Sequence, residues 1–177
     1  MGSGARAGYD RPQISNLPPT SRPMKHYTDL IAECLPQVRE IMPWDLAQRL
    51  REPQPPLLLD VREPAEFAAA HIPGALHVPR GILESAADWD YDDTVPALAG
   101  ARAHEVVVLC RSGNRSVLAA HTLQRMGFTQ VVSLRTGVRG WNDAELPLED
   151  GAGRPIDADR AEPLLASRVR PEQRRPA

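Results

Sequence analysis

The chain has 177 residues, of which 42% are hydrophobic, and this is enough to build the core of one ordinary domain. It carries 21 lysines and arginines against 23 aspartates and glutamates, and no basic stripe interleaved with aromatic residues, which argues against a nucleic-acid partner. No apolar run reaches the length of about 18 residues that a membrane span needs. We therefore expect a cytoplasmic protein that does not bind nucleic acid or membrane.

The two ends of the chain are predicted to be disordered. Residues 1–23 are rich in Gly, Pro, Ser and Arg without periodicity, and they lack the apolar stretch of a signal peptide. Residues 151–177 begin among glycines and prolines that are typical of a domain end. We expect a leader at 1–23, one domain over 24–150 that starts with a helix, and a tail at 151–177.

Within the domain, helical and strand patterns alternate. Helical spacing of apolar residues predicts helices over residues 25–37, 43–50, 65–70, 115–126 and 137–144. Short apolar runs predict strands over residues 38–41, 57–60, 76–78, 105–109 and 131–133. Residues 81–104 are the least regular and are expected to hold one or two short helices. This alternation predicts an α/β fold, a parallel sheet with helices on both faces.

The most informative segment, residues 106–120, has the pattern of a strand, a tight turn and a helix. An apolar β-branched run ends at Cys110, Gly113 and Asn114 favour a turn, and a helix begins near Arg115. Ligands of open parallel sheets bind beyond the carboxyl ends of the strands. Cysteines at helix N-termini beside arginines ionise readily, so Cys110 is predicted to be a thiolate nucleophile that needs no histidine base.

The rest of this loop is predicted to bind an anionic substrate. Successive backbone N–H groups and the partial positive charge of the helix N-terminus form an anion nest. Arg111 and Arg115 add full charges, and Ser112 and Ser116 add hydroxyl donors. The predicted substrate-binding residues are Arg111, Ser112, Gly113, Asn114, Arg115 and Ser116.

The size of the loop limits what the cysteine can carry. Cysteine-dependent phosphatases resemble this arrangement but place one residue more between the cysteine and the arginine. Here four residues separate Cys110 from Arg115. The narrower loop suits one sulfur atom added to Cys110 better than a tetrahedral oxyanion, which disfavours a phosphatase or an arsenate reductase.

The other polar candidates have structural interpretations. Asp60 and Arg62 follow a buried strand at the same sheet edge, where we expect them to support the loop, with direct substrate contact as the less favoured alternative. Cys34 lies on an apolar helix face and is assigned to core packing. His71 and His77 fit turn and strand packing, and no third ligand has suitable spacing, so no metal site is predicted.

Three parts of the chain resemble single-domain rhodaneses. The segments 58–67 and 71–79 resemble the family's N-terminal signature, Cys110–Ser116 its active-site loop, and residues 137–141 with 146–147 its C-terminal signature. The resemblance spans residues 38–149. It implies a single rhodanese-like domain with a five-stranded parallel sheet flanked by helices.

The resemblance also implies a sulfurtransferase. Cys110 would take a sulfane sulfur from thiosulfate or a persulfide and pass it to a thiophilic acceptor, cyanide in assays and a thiol or protein in cells. Arg111 and Arg115 would engage the small anionic donor, and the covalent cysteine persulfide would replace any cofactor. The alternative is a sulfur carrier without turnover that docks to a partner protein through the first helix or residues 81–104.

Two residues depart from the family pattern. Thr136 stands where a second glycine is common. Met42 stands where a helix-capping Ser or Thr is frequent, so this cap is expected to be weaker by about 1 kcal/mol. Residues 81–104 form a longer stretch than in the smallest members and are expected to be a surface loop, with a lid or docking surface as the alternative.

Overall fold

Strands and helices alternate along the chain, which the computed structural model describes over residues 23–167 and 169–175. The strands are β1 (Arg39–Ile41), β2 (Leu57–Asp60), β3 (Leu76–His77), β4 (Glu105–Leu109), β5 (Gln130–Leu134), β6 (Leu148–Glu149) and β7 (Pro155–Ile156). The helices are α1 (Tyr27–Cys34), α2 (Pro43–Arg49), α3 (Pro64–Ala69), α4 (Leu83–Ala86), α5 (Pro96–Ala99), α6 (Asn114–Arg125), α7 (Gly137–Asp143) and α8 (Ala158–Leu165).

The first five strands form one parallel sheet with the spatial order β1-β5-β4-β2-β3. Strand β4 lies at its centre and pairs with β2 on one side and β5 on the other. Parallel neighbours cannot be joined by tight hairpins, so the intervening helices carry the chain back across the sheet. The predicted parallel α/β sheet is confirmed, and β4 brings the end of the strongest apolar run to the middle of one sheet edge.

Both faces of the sheet are covered, which explains why β4 is apolar from Val106 to Leu109. Val106 and Val108 pack into one core cluster, together with Leu123 of α6. Val107 and Leu109 pack into a second cluster on the opposite face, with residues of α7 and α8. A strand buried on both faces has no solvent side and therefore shows no polar alternation.

The predicted disordered tail over residues 151–177 is wrong for its first half. Strand β7 pairs antiparallel with β6, and α8 packs against α7. The Asp157 side chain caps α8 by accepting the Arg160 backbone N–H at 2.8 Å. Ala161 and Leu165 lie four residues apart and are buried, which is the helical spacing that attaches α8 to the core. The ordered domain therefore continues beyond the predicted boundary at 150.

Other parts of the prediction have mixed outcomes. The leader predicted over residues 1–23 lies, except for Pro23, outside the described residues. Residues 81–104 contain the two short helices α4 and α5, as expected. Met42 is the N-cap residue of α2 and makes no side-chain capping hydrogen bond, also as expected. In the part of the chain that the structure describes, no helix is long and apolar enough to cross a membrane.

Candidate active site

Cys110 lies directly after β4, at the carboxyl edge of the sheet, and only 1% of its surface is exposed. The chain then turns sharply and enters α6 at Asn114. The turn depends on Gly113, whose φ of +97° lies in the left-handed region that favours glycine. Strand, turn and helix together hold the thiol at the base of the loop.

Two groups of the loop contact the Cys110 sulfur. The Gly113 backbone N–H donates to Sγ at 3.2 Å. The thiol in turn donates to the Ser116 hydroxyl oxygen at 3.5 Å. An N–H donor aimed at sulfur stabilises the thiolate, because a hydrogen bond to an ionised acceptor is stronger than one to a neutral acceptor. The loop is therefore suited to hold a negative charge on this sulfur.

Ser133 on β5 is a site residue that the sequence analysis missed. It is fully buried, and its hydroxyl forms a hydrogen bond of 2.9 Å with the Ser116 hydroxyl. Ser116 also donates to the Gly113 carbonyl oxygen at 2.8 Å. The sequence feature that could have indicated this role is a serine near the end of an otherwise apolar strand, residues 131–134. This buried chain of hydroxyls fixes the start of α6 behind the sulfur.

The two loop arginines differ in their surroundings. Arg115 donates to both carboxylate oxygens of Glu66 on α3, each at 2.7 Å. The hydrogen bond to Glu66 raises the pKa of Arg115 above its ordinary value, against the opposing effect of burial. Within the described ranges, the Arg111 side chain forms no hydrogen bond or ion pair. Arg111 is therefore the loop cation that is not already neutralised by a protein carboxylate.

Glu66 was not predicted as a site residue, because its partner lies 49 positions away in the sequence. Burial alone would raise the pKa of Glu66. Hydrogen bonds from Arg115 and from the Glu63 backbone, with the charges of Arg115 and Arg62, outweigh burial and lower it. Glu66 is therefore an anion at neutral pH and halves the positive charge that the sequence assigns to the loop.

A cavity of about 340 Å³ is lined by residues of the loop, although the buried Cys110 is not itself among its lining residues. A concave site of this kind is where a small substrate would bind. Its walls include a residue of α1 that the sequence analysis did not connect with the site. The lining residues are Tyr27, Glu66, Arg111, Ser112, Asn114 and Arg115. Four of the predicted substrate-binding residues thus line one cavity, while Gly113 and Ser116 contact the Cys110 sulfur and do not line it.

Asp60 and Arg62 lie at the same sheet edge but do not line this cavity. Both are buried, and the Arg62 Nη2 atom donates to Asp60 Oδ2 at 2.7 Å and to the Ala70 carbonyl oxygen at 2.7 Å. Asp60 also accepts the Arg62 backbone N–H at 3.0 Å. These contacts tie the end of β2 to the end of α3, the helix that carries Glu66.

Helix α7 holds the backbone of the loop that starts at Cys110. The N–H groups of Val138 and Arg139 donate to the carbonyl oxygens of Cys110 and Arg111, at 2.8 and 3.0 Å. Gly137 makes this close approach possible, since a Cβ atom there would lie 2.3 Å from the Cys110 oxygen. Thr136, the departure from the family pattern, adopts a left-handed φ of +66°.

In the described residues, no group of three or more His, Cys, Asp or Glu side chains could hold a metal ion.

Fold and site together define a class of protein: a parallel α/β domain with a buried cysteine on a strand-to-helix loop at the carboxyl edge of the sheet. The chain belongs to the rhodanese-like domain family, whose sequence model matches residues 42–144. A sulfurtransferase from Allochromatium vinosum is 35% identical over 111 residues, which cover 63% of this chain and 94% of that protein.

Two further relatives extend the comparison. The putative sulfur carrier protein YrkF of Bacillus subtilis is 37% identical over 84 residues, and the match covers 48% of this chain but only 40% of that protein. A solved structure from Rhodopseudomonas palustris, a protein of unknown function described as a possible tyrosine phosphatase, superposes with a TM-score of 0.65 at 27% identity. It covers 72% of this chain and 97% of its own.

Proposed function

We propose that the protein is a rhodanese-type sulfurtransferase in which Cys110 carries the transferred sulfur as a persulfide. The observation that carries this proposal is the buried Cys110 sulfur at the base of the loop, to which the Gly113 N–H donates at 3.2 Å, while four other residues of the same loop line a small cavity. A persulfide would add one sulfur atom to this thiol, and the N–H groups and arginines of the loop would stabilise its negative charge. The relatives named sulfurtransferase and sulfur carrier support the same chemistry.

With thiosulfate as donor, the Cys110 thiolate attacks the outer sulfur. A new bond forms between Sγ and that sulfur, the sulfur–sulfur bond of thiosulfate breaks, and its electron pair leaves with sulfite. A nucleophilic acceptor such as cyanide or a thiolate then attacks the outer sulfur of the persulfide and regenerates the Cys110 thiolate. No oxidant or reductant is consumed, and the proposed cycle needs no cofactor beyond the covalent persulfide.

Arg111 is proposed to hold the anionic donor, because it faces the cavity without a protein partner in the described ranges. Arg115 already pairs with Glu66, so its proposed part is to shape the cavity wall and to add the remaining charge of the pair. The description of the R. palustris protein as a possible tyrosine phosphatase suggests phosphatase activity as an alternative function. The four residues between Cys110 and Arg115 argue against it, since that loop is shorter than a phosphatase loop.

Two measurements test this proposal. Intact-mass spectrometry after incubation with thiosulfate is expected to show one added sulfur atom, removable by cyanide and absent in Cys110→Ser. Failure of the wild-type protein to gain this sulfur would contradict a thiosulfate-using enzyme. Steady-state production of thiocyanate distinguishes an enzyme that turns over from a sulfur carrier that does not. Multiple turnovers indicate an enzyme, whereas loading with negligible turnover indicates a sulfur carrier that transfers only to a dedicated partner protein.

A further inference from the structure

Helix α1 lies outside the residues that match the rhodanese-like family, yet it reaches the candidate active site. The match begins at residue 42, whereas α1 covers Tyr27–Cys34. Ile31 and Cys34 pack against the core cluster that includes α6. The Gln124 side chain on α6 donates to the Gln37 carbonyl oxygen at 3.1 Å, just after α1. These contacts attach α1 beside the helix that starts at the catalytic loop.

The first residue of α1, Tyr27, forms part of the cavity wall opposite the loop residues. Half of its surface is exposed, so Tyr27 is accessible to a small molecule that enters the cavity. Burial, and next the charge of Cys110, raise the pKa of Tyr27 above its ordinary value, while Arg115 and Arg111 act in the opposite direction. The phenol therefore stays protonated at neutral pH and remains a hydrogen-bond donor.

We propose that Tyr27 is a specificity-determining residue that donates a hydrogen bond from its hydroxyl to the anionic sulfur donor bound above Cys110. This inference rests on the proposed sulfurtransferase function and names a further substrate contact for it. The substrate class is small oxyanionic sulfur compounds, with thiosulfate as the test compound. Its terminal oxygens are hydrogen-bond acceptors that would lie between Tyr27 and Arg111.

The charges in the cavity show why such a donor is needed. The Nη1 and Nη2 atoms of Arg115 both donate to the Glu66 carboxylate. Arg111 is therefore the loop cation that is left unpaired, within the described ranges, for a doubly charged donor. An extra neutral donor would stabilise the bound anion by a hydrogen bond to one of its oxygens. Because the phenol keeps its proton throughout, the balance of the transfer reaction described above is unchanged.

The test compares Tyr27→Phe, which keeps the ring and removes the hydroxyl, with Tyr91→Phe. Tyr91 is a matched control because it is also half-exposed but does not line the cavity. For Tyr27→Phe we expect the KM for thiosulfate to rise about fivefold, the effect of one hydrogen bond to a charged group at a partly exposed site. We expect kcat at saturating thiosulfate and cyanide to change less than about twofold, since binding is uniform in ground and transition states.

Binding of thiosulfate to the Cys110→Ser variant gives a second readout that does not depend on turnover. Adding Tyr27→Phe to that variant is expected to raise Kd by a similar factor, and Leu30→Ala on the exposed face of α1 is expected to leave it unchanged. Equal Kd values with and without the Tyr27 hydroxyl would overturn this inference, whether or not the wild-type protein turns over. Failure of the wild-type protein to accept sulfur would instead overturn the proposed function.

Discussion

Replacing Gly137 by alanine tests how the Cys110 loop, the proposed catalytic loop, is held in place. The new Cβ would lie 2.3 Å from the Cys110 carbonyl oxygen and 2.5 Å from the Arg111 carbonyl carbon. Both contacts are with backbone, so no side chain can rotate away to relieve them. Gly137 also has a φ of +63°, which costs any L-residue with a side chain about 1 kcal/mol or more.

The expected magnitude follows from these contacts. Moving α7 away from the loop would weaken the hydrogen bonds from Val138 and Arg139, each worth about 1 kcal/mol. With the backbone strain and overpacking included, Gly137→Ala is expected to lose about 4 kcal/mol of unfolding free energy, or about 10 °C in Tm. Displacing the nucleophile by about 1 Å should slow sulfur loading at least about 100-fold.

Gly153→Ala is the matched control, because Gly153 has a φ of +73° but no atom within 4 Å of its missing Cβ. Gly153→Ala should lose only the unfolding free energy that a side chain costs at a left-handed φ, about 1 kcal/mol, and it should gain sulfur at the wild-type rate. Urea unfolding and the rate of sulfur gain from thiosulfate, followed by mass spectrometry, measure both effects. If Gly137→Ala matched Gly153→Ala in both measurements, the close approach of α7 would not be what positions Cys110.

Three further substitutions probe the supports of the site. Arg62→Met leaves the Asp60 carboxylate buried without its partner, and urea unfolding should show a loss of about 3 to 5 kcal/mol. Ser133→Ala removes a buried hydroxyl behind the loop and should cost about 1 kcal/mol with a few-fold slower sulfur loading. Glu66→Gln should lose about 1 kcal/mol near pH 7. Because the pKa of Glu66 is lowered in the folded protein, this stability difference is fully present above the ordinary value of 4.5. It should be lost as the pH falls from 4.5 through the lowered pKa of the folded state, which unfolding curves at several pH values would show.

Much of the fold was predictable because local patterns carry it. The apolar β-branched run that ends at Cys110 predicted a central strand, and Gly113 followed by a helical pattern predicted the turn into α6. Helix α8 was missed although Asp157 and the spacing of Ala161 and Leu165 are helix signals. The nearby glycines and prolines, and Pro163 within the helix, favoured disorder instead, and packing against α7 overrides that local preference.

The parts of the site that sequence could not supply are contacts between distant segments. The loop spacing identified Cys110 and its neighbours, but the pairing of Arg115 with Glu66 depends on how α3 packs beside α6. Tyr27 lies 83 positions before Cys110, and only the docking of α1 brings it to the cavity. Local periodicity contains no information about such contacts, so the predicted loop had twice the unpaired positive charge that the structure gives it.

The location of the transferred sulfur tests the central claim most directly. After incubation with thiosulfate, the protein would be digested without reductant and its peptides analysed by mass spectrometry. One added sulfur is predicted on the peptide that contains Cys110, with none on the peptide that contains Cys34, and cyanide should remove it. An added sulfur distributed over both cysteines, or none on Cys110, would contradict a persulfide held by this loop.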